Sequence, residues 1–380
     1  MGNGSTRSVD LLFDVRHIDQ SGVGTYIRAQ IPALEEVLGQ HGRRLALLAD
    51  RDHVPPVCDD THVVFSDPPA APMYSLQEQR AWDHAVRAVR PKAMWVPHYP
   101  YPFSLLRPRN RHIVGFSTVH DDNHLLPEPI SGISRPRRMY ARAMLEIDAR
   151  RCSTIFTPSR AAADALGRIA PSATFVVTPI PVGRQWLEPA DSRRPPAQDK
   201  YLLYLGNVKR HKNLLTLLNA YAQVQQEIPH RLLIAGSGAS VRTLDDRVKN
   251  QATALGDRVQ MIGRLDFDEL HSLVAGADLL VMPSFNEGAG LPPLEAMASG
   301  TAVLCSDIPS LRETCGDGAA YFDPHDDREL AQLLRHYCDD DTARAQLCSR
   351  GWTHVTQRQS RIPVSAAADA ITAELDRRGL

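Results

Sequence analysis

The sequence is poor in cysteine, and its cysteines stand far apart. None of them forms a Cys-x-x-Cys pair, so their spacing speaks against a structural zinc site and against a disulfide framework. We therefore expect reduced thiols in the core of a cytoplasmic protein. The six positions are Cys58, Cys152, Cys305, Cys315, Cys338 and Cys348.

Long apolar runs and a dominant charge are also missing. No apolar run approaches the ~20 residues that a membrane-spanning helix needs. The polar start of the chain, MGNGSTRSVD, contains no segment like a secretory signal and predicts a disordered leader. Lys and Arg total 43 while Asp and Glu total 44, and this balance speaks against a protein dedicated to nucleic-acid binding.

Short apolar runs alternate with helical stretches, which predicts parallel sheets covered by helices. A length of 380 residues favours two domains, since roughly 100–200 residues form one. In the first half the runs are residues 9–15, 43–49, 94–96, 113–118, 153–158 and 174–178. In the second half they are residues 201–205, 231–235, 259–262, 277–282 and 302–305.

A stretch rich in proline and charge separates the two halves. It lacks periodicity, as a linker does. Breaks in the helical tail are predicted at Gly351 and Pro363. The predicted division is an N-terminal domain at residues 1–180, a linker at 181–199, a C-terminal domain at 200–360 and a last helix at 361–380.

The most informative stretch is NEGAGLPPLEAMASG, residues 286–300, which follows a buried strand. Gly288 and Gly290 predict a loop whose backbone can lie close to a ligand. The free N–H groups and partial positive charge at the start of the next helix suit a phosphate. Glu287 and Glu295 flank the loop, and a carboxylate accepts hydrogen bonds from paired sugar or ribose hydroxyls.

This stretch resembles the signature of the retaining glycosyltransferases of family 4, in which two glutamates are separated by seven residues. Glu287 and Glu295 have that spacing, and Ala289 stands where the family usually has an aromatic residue. The resemblance implies the α/β fold called GT-B, with two Rossmann-like parallel β/α domains facing across a cleft. It also implies that the N-terminal domain binds the acceptor, that the C-terminal domain binds the nucleotide sugar, and that the last helix crosses back to the N-terminal domain.

Further motifs of the C-terminal half match the same family. In LGNVKRHKNL, Lys212 begins a helix where it can neutralise a diphosphate, and Asn207 replaces the family's usual arginine. Arg264 belongs to the short turn that brackets the nucleotide base in the family. The resemblance assigns donor binding to Gly24, Asn207, Lys212, Gly236, Gly238, Arg264, Gly288, Ala289, Gly290, Leu291 and Glu295.

The N-terminal half supplies a glycine pair and two histidines. Gly22 and Gly24 separate the first strand from a helix, and either a tight turn or an anion-binding loop fits them. They resemble the family's loop beside the donor phosphates. His120 follows a strand, where parallel sheets bind ligands, and the resemblance places it against the donor sugar. For His98, a structural role and a role in lining the acceptor site stay open.

Residues 134–151 predict a strongly basic helix. Between positions 131 and 160 there are seven arginines against Glu146 and Asp148. A packed helix with a solvated cationic face fits this composition, and so does contact with anionic lipid at the inner face of the membrane or with a pyrophosphate-linked acceptor. The apolar stripe of this helix is predicted at Met139, Tyr140, Ala143, Met144 and Ile147.

Together these motifs predict transfer of a hexose from a nucleotide diphosphate sugar to a glycan or lipid-linked glycan. Fixed positive groups such as Lys212 would stabilise the leaving diphosphate, Glu287 would hold the transferred sugar, and His120 would contact it near the reacting carbon. The resemblance implies retention of configuration and favours mannosyltransferase-like members of bacterial polysaccharide and lipopolysaccharide synthesis, hence a GDP-sugar. Adjacent acids such as Asp121 and Asp122 do not form a DxD motif, so we expect neither a metal nor a cofactor.

Three other functions remain open. Gly236 and Gly238 follow a strand as in an NAD-type oxidoreductase, but Val241 replaces the third glycine of that fingerprint. Glu287 and Glu295 could serve a glycoside hydrolase as acid and base, although a lysine beside one helix start favours a phosphate between them. A non-catalytic relative that binds a nucleotide or sugar also fits the sequence.

Overall fold

A computed structural model describes residues 9–190, 200–236 and 246–380 of the chain. The first eight residues, Gly238 and residues 191–199 of the predicted linker lie outside these ranges. The described residues divide by their contacts into two compact units. Unit 1 contains the residues up to Asp122 together with Pro136–Ile180 and Pro363–Leu380, and unit 2 contains Asn123–Arg135 and Pro181–Ile362.

A seven-stranded parallel sheet forms the centre of unit 1. Its strands are β1 Leu11–Asp14, β2 Leu45–Ala49, β3 His62–Phe65, β4 Ala93–Val96, β5 Val114–Thr118, β6 Cys152–Thr157 and β7 Phe175–Val177. They are arranged in the order β3-β2-β1-β4-β5-β6-β7. The inner strands are buried along their whole length, as helices on both faces of a parallel sheet require.

A six-stranded parallel sheet forms the centre of unit 2. Its strands are β8 Tyr201–Leu205, β9 Arg231–Ala235, β10 Val259–Ile262, β11 Leu279–Met282, β12 Ala302–Ser306 and β13 Ala320–Phe322. Their order is β10-β9-β8-β11-β12-β13. Two apolar clusters cover this sheet, so its central strands are completely enclosed.

Helices surround both sheets, and none of the helices in the described residues is long and apolar enough to cross a membrane. Helices α1, α2, α4, α5 and α13 belong to unit 1, and the others belong to unit 2. In chain order they are α1 Ser21–Gln40, α2 Leu76–Val89, α3 Glu128–Ser131, α4 Arg135–Arg151, α5 Arg160–Ile169, α6 Leu214–Val224, α7 Asp246–Ala254, α8 Phe267–Ala275, α9 Leu291–Ala298, α10 Pro309–Cys315, α11 Asp327–Asp339, α12 Asp341–Arg361 and α13 Ala366–Arg377.

Two short segments pack away from their neighbours in sequence. Helix α3 packs against the turn Arg210–Lys212, so residues 123–135 group with unit 2 rather than with the predicted N-terminal domain. Helix α13 packs against α1, β6 and β7 in unit 1. There Arg43 donates to the main-chain oxygen of Leu380 at 2.8 Å and pairs with Asp376.

The predicted apolar stripe of α4 is wrong at Met139, Tyr140 and Ala143, which are exposed. Met139 and Tyr140 are 64% and 43% exposed, whereas Ala141, Leu145 and other residues of the opposite side are buried. The inward face is therefore rotated from the predicted one. The buried residues are Ala141, Met144, Leu145 and Asp148.

The predicted break at Gly351 is also wrong, because α12 continues through it and the tail breaks instead at Asp340. Gly351 is buried against α9, and a Cβ on it would lie 2.9 Å from Cγ of Met297. The glycine is thus required for close packing of two helices rather than for a helix end. The predicted break at Pro363 is confirmed.

The strand order of each sheet determines where side chains from separate loops converge. In unit 1 the order reverses between β1 and β4, and in unit 2 it reverses between β8 and β11. Open parallel sheets bind ligands at such reversals, beyond the carboxyl ends of the strands. The loops that follow these four strands contain most of the predicted site residues.

Candidate functional site

The loop after β11 turns sharply into α9 at Gly290. This residue has φ +59° and ψ 49°, a left-handed conformation that favours glycine. A Cβ at Gly290 would lie 2.7 Å from Cδ2 of Leu311. At the start of α9 Leu291 has an N–H, whereas Pro292 and Pro293 have none, and no acidic side chain lies in the first turn. The Leu291 N–H can therefore donate to an anion at this helix start.

Three contacts join this loop to the turn after β8. The Phe285 N–H donates to the carbonyl of His211 at 2.8 Å. Asn213, which has φ +53°, donates from Nδ2 to the carbonyl of Pro283 at 2.9 Å. Lys212 and Glu287 form the third contact. The two predicted donor motifs are therefore adjacent in unit 2.

Lys212 and Glu287 form a close ion pair. The Lys212 Nζ lies 2.7 Å and 2.8 Å from the two carboxylate oxygens of Glu287. Their side chains are 17% and 8% exposed, so water screens the pair only weakly. The hydroxyl of Ser284 also donates to Glu287 Oε1 at 2.6 Å. Since Lys has three N–H donors, the ammonium keeps capacity for a further anionic partner.

Glu295 lies on α9 and is half-buried. Burial raises the pKa of its carboxyl from 4.5 to about 7. No basic side chain is among the causes of this shift, so no cation counteracts the burial. At neutral pH Glu295 is therefore divided between a carboxylate and a carboxylic acid, and a small change in its surroundings shifts that balance.

Gly206 and Gly236 bring the ends of β8 and β9 into backbone contact. Gly236 has φ +147°, and a Cβ on it would lie 2.2 Å from the carbonyl oxygen of Gly206. Asn207 follows directly and is half-buried. Its Oδ1 is buried and has no hydrogen-bond partner within the described residues. A buried acceptor of this kind is costly unless a ligand or water satisfies it.

The other predicted donor residues of unit 2 differ in exposure. Gly288 is buried, Ala289 and Leu291 are half-buried, and Arg264 is exposed in the loop after β10. The glycine loop follows Glu287 directly in the chain and is largely buried. Arg264 follows β10, a different strand, so any ligand contact that it makes is separate from the glycine loop.

His120 lies in unit 1 after β5 and is half-buried. Its Nε2 donates to the carbonyl of Pro97 at 2.8 Å, and its ring contacts the edge of Tyr26 with centroids 5.0 Å apart. Burial lowers the pKa of this imidazole. His120 is therefore neutral near pH 7, with the proton on Nε2 held by the main chain.

His98 belongs to a buried polar cluster at the ends of β1 and β4. Its Nε2 lies 2.8 Å from Glu78 Oε1, and Nε2 of His17 lies 3.3 Å from the same oxygen. Arg16 donates to Asp14 at 2.6 Å and 2.9 Å. His98 Nδ1 is buried without a partner in the described part of the chain. We define these five residues as the polar cluster.

Both acids of the polar cluster are ionised. Burial raises the pKa of Glu78, but hydrogen bonds from His17 and His98 outweigh burial, and the net pKa is lowered. Burial likewise raises the pKa of Asp14, and the charge and hydrogen bonds of Arg16 lower it further than burial raises it. Hydrogen-bond donors within the polar cluster, rather than water, therefore stabilise the charge of its two carboxylates.

Atoms of His17, Glu78 and His98 lie within 4.8 Å of one another, a spacing that can hold a metal ion. They already bond to each other, however, and Nη2 of Arg16 lies 3.6 Å from Glu78 Oε1. Its positive charge opposes a cation there. We interpret the three side chains as a hydrogen-bond network that orients His98, and the absence of a metal stays a prediction.

Gly24 lies in the first turn of α1 rather than in a turn before it. A Cβ on Gly24 would lie 2.0 Å from the carbonyl oxygen of Ile18. Its N–H donates to Gln20 at 2.5 Å. The close approach of the preceding loop thus explains this glycine, and binding of a donor to it stays a prediction.

The sequence reasoning missed Asp14, Arg16, His17 and Glu78. The run DVRHIDQ comes at the end of β1, so its charged residues offered a signal for the first three. Glu78 lies on α2, 61 residues from His17 along the chain. No local pattern reveals a contact of that separation.

Comparison with known proteins finds that the C-terminal half is similar to proteins named as glycosyltransferases. Residues 188–351 match the family described as "Glycosyl transferases group 1". The chain is 35% identical to O-antigen chain mannosyltransferase B of Escherichia coli over 160 residues, which are 41% of this chain and 42% of that protein. It is 28% identical to O-antigen chain mannosyltransferase RfbU of Salmonella typhimurium over 202 residues, or 53% and 55% of the two chains. The chain thus matches about half the length of these relatives.

Solved structures resemble nearly the whole chain. Sucrose-phosphate synthase from Thermosynechococcus elongatus superposes with a TM-score of 0.75 at 20% identity, over 97% of this chain and 98% of that one. Anabaena Alr3699/HepE in complex with UDP-glucose superposes with a TM-score of 0.70 at 17% identity, over 97% and 99%. The predicted α/β class is confirmed by these likenesses. The chain has the GT-B fold.

Proposed function

We propose that the protein is a glycosyltransferase that transfers a hexosyl residue from a nucleotide diphosphate sugar to a glycan or lipid-linked glycan. The observation that carries this proposal is the ion pair of Lys212 and Glu287 beside the start of α9. Two relatives named as O-antigen chain mannosyltransferases support mannose as the sugar and polysaccharide synthesis as the process. GDP as the favoured carrier is kept from the sequence analysis. HepE, solved with UDP-glucose, supports a nucleotide sugar as the class of donor.

The proposed step breaks the bond between the anomeric carbon and the diphosphate oxygen, and the bonding electrons leave with the nucleoside diphosphate. The acceptor's hydroxyl oxygen forms the new bond on the same face of the sugar, and its proton passes to a phosphate oxygen. Configuration is thereby retained, and the step requires no metal or cofactor. Because negative charge grows on the diphosphate, Lys212 and the N–H groups around Gly288–Leu291 would stabilise the transition state more than the ground state.

The remaining roles follow from the chemistry of each side chain. Glu287 accepts bonds from Lys212 and Ser284, which aim its remaining lone pairs at sugar hydroxyls. Glu295 would hold the ribose, and the unsatisfied Oδ1 of Asn207 would accept a bond from the ligand. In unit 1 we assign contact with the donor sugar to His120. We also assign His98 to the acceptor site, Gly24 to the phosphates and Arg264 to the base, as the family resemblance implies.

The test is ligand-induced thermal stabilisation followed by donor hydrolysis. GDP, UDP and dTDP are added to the wild type, to Lys212→Ala and to the control Lys200→Ala, whose lysine lies outside the two loops. We expect at least one nucleotide to raise the melting temperature of the wild type and the control, with a smaller shift for Lys212→Ala. The same nucleotide, linked to a sugar, should then be hydrolysed.

A shift with NAD and none with any nucleoside diphosphate would overturn the proposal in favour of an oxidoreductase. Nucleotide binding without hydrolysis or transfer of any sugar in a donor panel would favour a non-catalytic binding protein instead. Equal rises in melting temperature for Lys212→Ala and the wild type would show that Lys212 does not bind the nucleotide.

A further inference from the structure

Two tyrosine rings lie beside His98 in unit 1. Tyr74 comes just before α2, and Tyr99 follows His98 in the loop after β4. The centroids of the two tyrosine rings are 5.3 Å apart, and the Tyr74 ring meets the His98 ring edge-on with centroids 5.8 Å apart. Tyr74 is 42% exposed and Tyr99 is half-buried, so a ligand can reach part of this aromatic surface. We define Tyr74 and Tyr99 as the tyrosine pair.

The backbone of Tyr74 is strained. Its φ is +63°, in the left-handed region that a bulky residue rarely adopts. Glycine or asparagine adopts this conformation more easily, so the turn by itself does not require a tyrosine. Strained residues of this kind persist where their surroundings hold them, and they cluster at binding sites. The side chain of Tyr74 therefore has a role beyond forming the turn.

Two neighbouring residues of α2 hold the tyrosine pair in place. The Tyr74 N–H donates to Oε2 of the buried Glu78 at 2.8 Å, and Oε1 of the same carboxylate lies 2.8 Å from Nε2 of His98. Gln79 donates from Nε2 to the carbonyl of Tyr101 at 3.3 Å, in the loop that contains Tyr99. The turn before α2 and the loop after β4 are thereby fixed to one helix, so the pair is preorganised for a ligand.

The position and the chemistry of the pair both suit a sugar ring. Tyr99 follows the carboxyl end of β4, and the strand order reverses between β4 and β1, where open parallel sheets bind ligands. The C–H groups on one face of a sugar ring carry partial positive charge, which the negative face of an aromatic ring attracts. The phenol hydroxyls can exchange hydrogen bonds with sugar hydroxyls. An alkyl chain would use the apolar area of the rings but not these hydroxyls.

We propose that the tyrosine pair binds a sugar ring of the acceptor by packing against its C–H face. This inference rests on the proposed glycosyl transfer and adds to it two residues that hold the acceptor. The tyrosines take no part in making or breaking bonds. They hold the acceptor next to His98, and Glu78 positions both the pair and His98. The acceptor is therefore a glycan or glycoside that offers an apolar ring face.

The test is saturation-transfer NMR of the full chain with four octyl glycosides, those of mannose, glucose, galactose and N-acetylglucosamine. Each glycoside is added below the concentration at which it forms micelles, and GDP is present so that the donor site is filled. We expect the protein to saturate the ring C–H protons of at least one glycoside more strongly than the protons of its octyl chain. The dependence of this signal on glycoside concentration gives Kd without any measurement of activity.

Two variants of Tyr74 separate the ring from the backbone. Tyr74→Ala should raise Kd for that glycoside about tenfold, because it removes the ring face. Tyr74→Phe keeps the ring and has the same backbone strain, so it should retain most of the affinity. The matched control is Trp352→Ala in unit 2, which removes an aromatic side chain that is 43% exposed and should leave Kd unchanged. Circular dichroism checks that each variant folds.

Four outcomes would overturn the proposal. They are no saturation of any glycoside by the wild type, saturation of the octyl chain alone, equal Kd for Tyr74→Ala and the wild type, and an equal loss of affinity in Tyr74→Phe and Tyr74→Ala. The second of these would identify a lipid contact instead of a sugar contact.

The rise in melting temperature with a nucleotide distinguishes failure of this inference from failure of the proposed function. A rise with GDP, UDP or dTDP but no binding of a glycoside would leave the proposed transfer intact and reject the tyrosine pair as an acceptor site. Binding of a glycoside that Tyr74→Ala weakens, without a rise for any of these nucleotides, would reject the transfer and keep the pair as a sugar-binding surface.

Discussion

Glu295 is the residue whose charge depends most strongly on pH in the proposed nucleotide site. Burial raises its pKa to about 7. If its carboxylate binds the ribose, affinity for a nucleoside diphosphate rises with pH and levels off above the pKa. About one tenth of the side chain is ionised one pH unit below the pKa, so Kd there should be about tenfold higher. Calorimetric titration across this range measures the effect.

Glu295→Gln is the control for this prediction. Gln keeps the shape of the side chain but does not titrate, so the variant should bind weakly at every pH and lose this part of the pH dependence. Protonation of the nucleotide affects both proteins equally and cancels in the comparison. The same pH profile in both proteins would contradict the role of Glu295.

Asp148 makes a separate prediction about stability. It is 0% exposed, and its carboxyl oxygens have no hydrogen-bond partner of ordinary geometry in the described residues. Burial raises its pKa well above the ordinary value, with a smaller opposing effect of Ser117. The folded state therefore keeps the proton while the unfolded state loses it, so the stability of the wild type falls as pH rises above about 4.

Asp148→Asn removes this loss. We expect the variant to be more stable than the wild type at neutral pH and no more stable near pH 4, where the acid is protonated in both states. Each unit of pKa shift corresponds to about 1.4 kcal/mol. Thermal unfolding over this pH range measures the difference. Glu146→Gln, on the exposed part of the same helix, should show no such gain, and an equal gain would refute the explanation.

Single residues could be predicted from the sequence only where a motif contained them. Lys212 and Glu287 both came from local motifs, but their direct ion pair links residues 75 apart and depends on the order of β8 and β11. Glu78 had no motif at all. Met139 and Tyr140 were predicted inside because both faces of α4 contain apolar residues, and only packing in the folded unit decides which face is buried.

Among the structural elements, the turn at Gly290 combines a left-handed backbone with a close side-chain neighbour. Gly290→Ala forces a left-handed conformation that costs about 1–2 kcal/mol, and its Cβ would also lie 2.7 Å from Leu311. Gly300→Ala is the matched control, since Gly300 has φ +80° with nothing within 4 Å of its Cβ position. We expect a larger fall in melting temperature for Gly290→Ala. An equal fall in both variants would exclude the steric contribution.

The strands of both sheets were largely predictable because buried parallel strands are continuous apolar runs. The strands β3 and β13 and the helix α10 were not predicted. β3 is four residues long and only one of them is buried, so it has no apolar run. The predicted helix break at Gly351 was wrong because a glycine can also allow two helices to pack closely. The sequence alone does not distinguish that role from a helix end.

At the scale of the whole molecule, α13 completes unit 1 although the chain reaches it from unit 2. Ile371 and Leu375 are 0% exposed on its inner face. Ile371→Ala should lower the free energy of unfolding of unit 1 by about 2–5 kcal/mol through loss of burial and the cavity left behind. Hydrogen exchange should report faster exchange in α1, β6 and β7.

The strands of unit 2 provide the internal reference for this experiment. Their exchange should remain unchanged, because α13 contacts elements of unit 1. Arg377→Ala, on the exposed side of α13, should change exchange little. Loss of protection concentrated in β8–β12 would show that α13 stabilises unit 2, which would contradict this prediction.

The division of the chain also limits how its halves can be exchanged or expressed. The backbone passes between the units after Asp122, Arg135, Ile180 and Ile362. A fragment cut at the linker would lack the helix at Glu128–Ser131 and the Asn123 side chain, which accepts a bond from Asn286 at 3.0 Å, next to Glu287. A chimera joined at the linker to a foreign N-terminal half would therefore carry foreign residues at 123–135. These residues contact the loop after β11, which would still come from this chain. Recombination between homologues would preserve that loop only if residues 123–135 were inherited together with the second half.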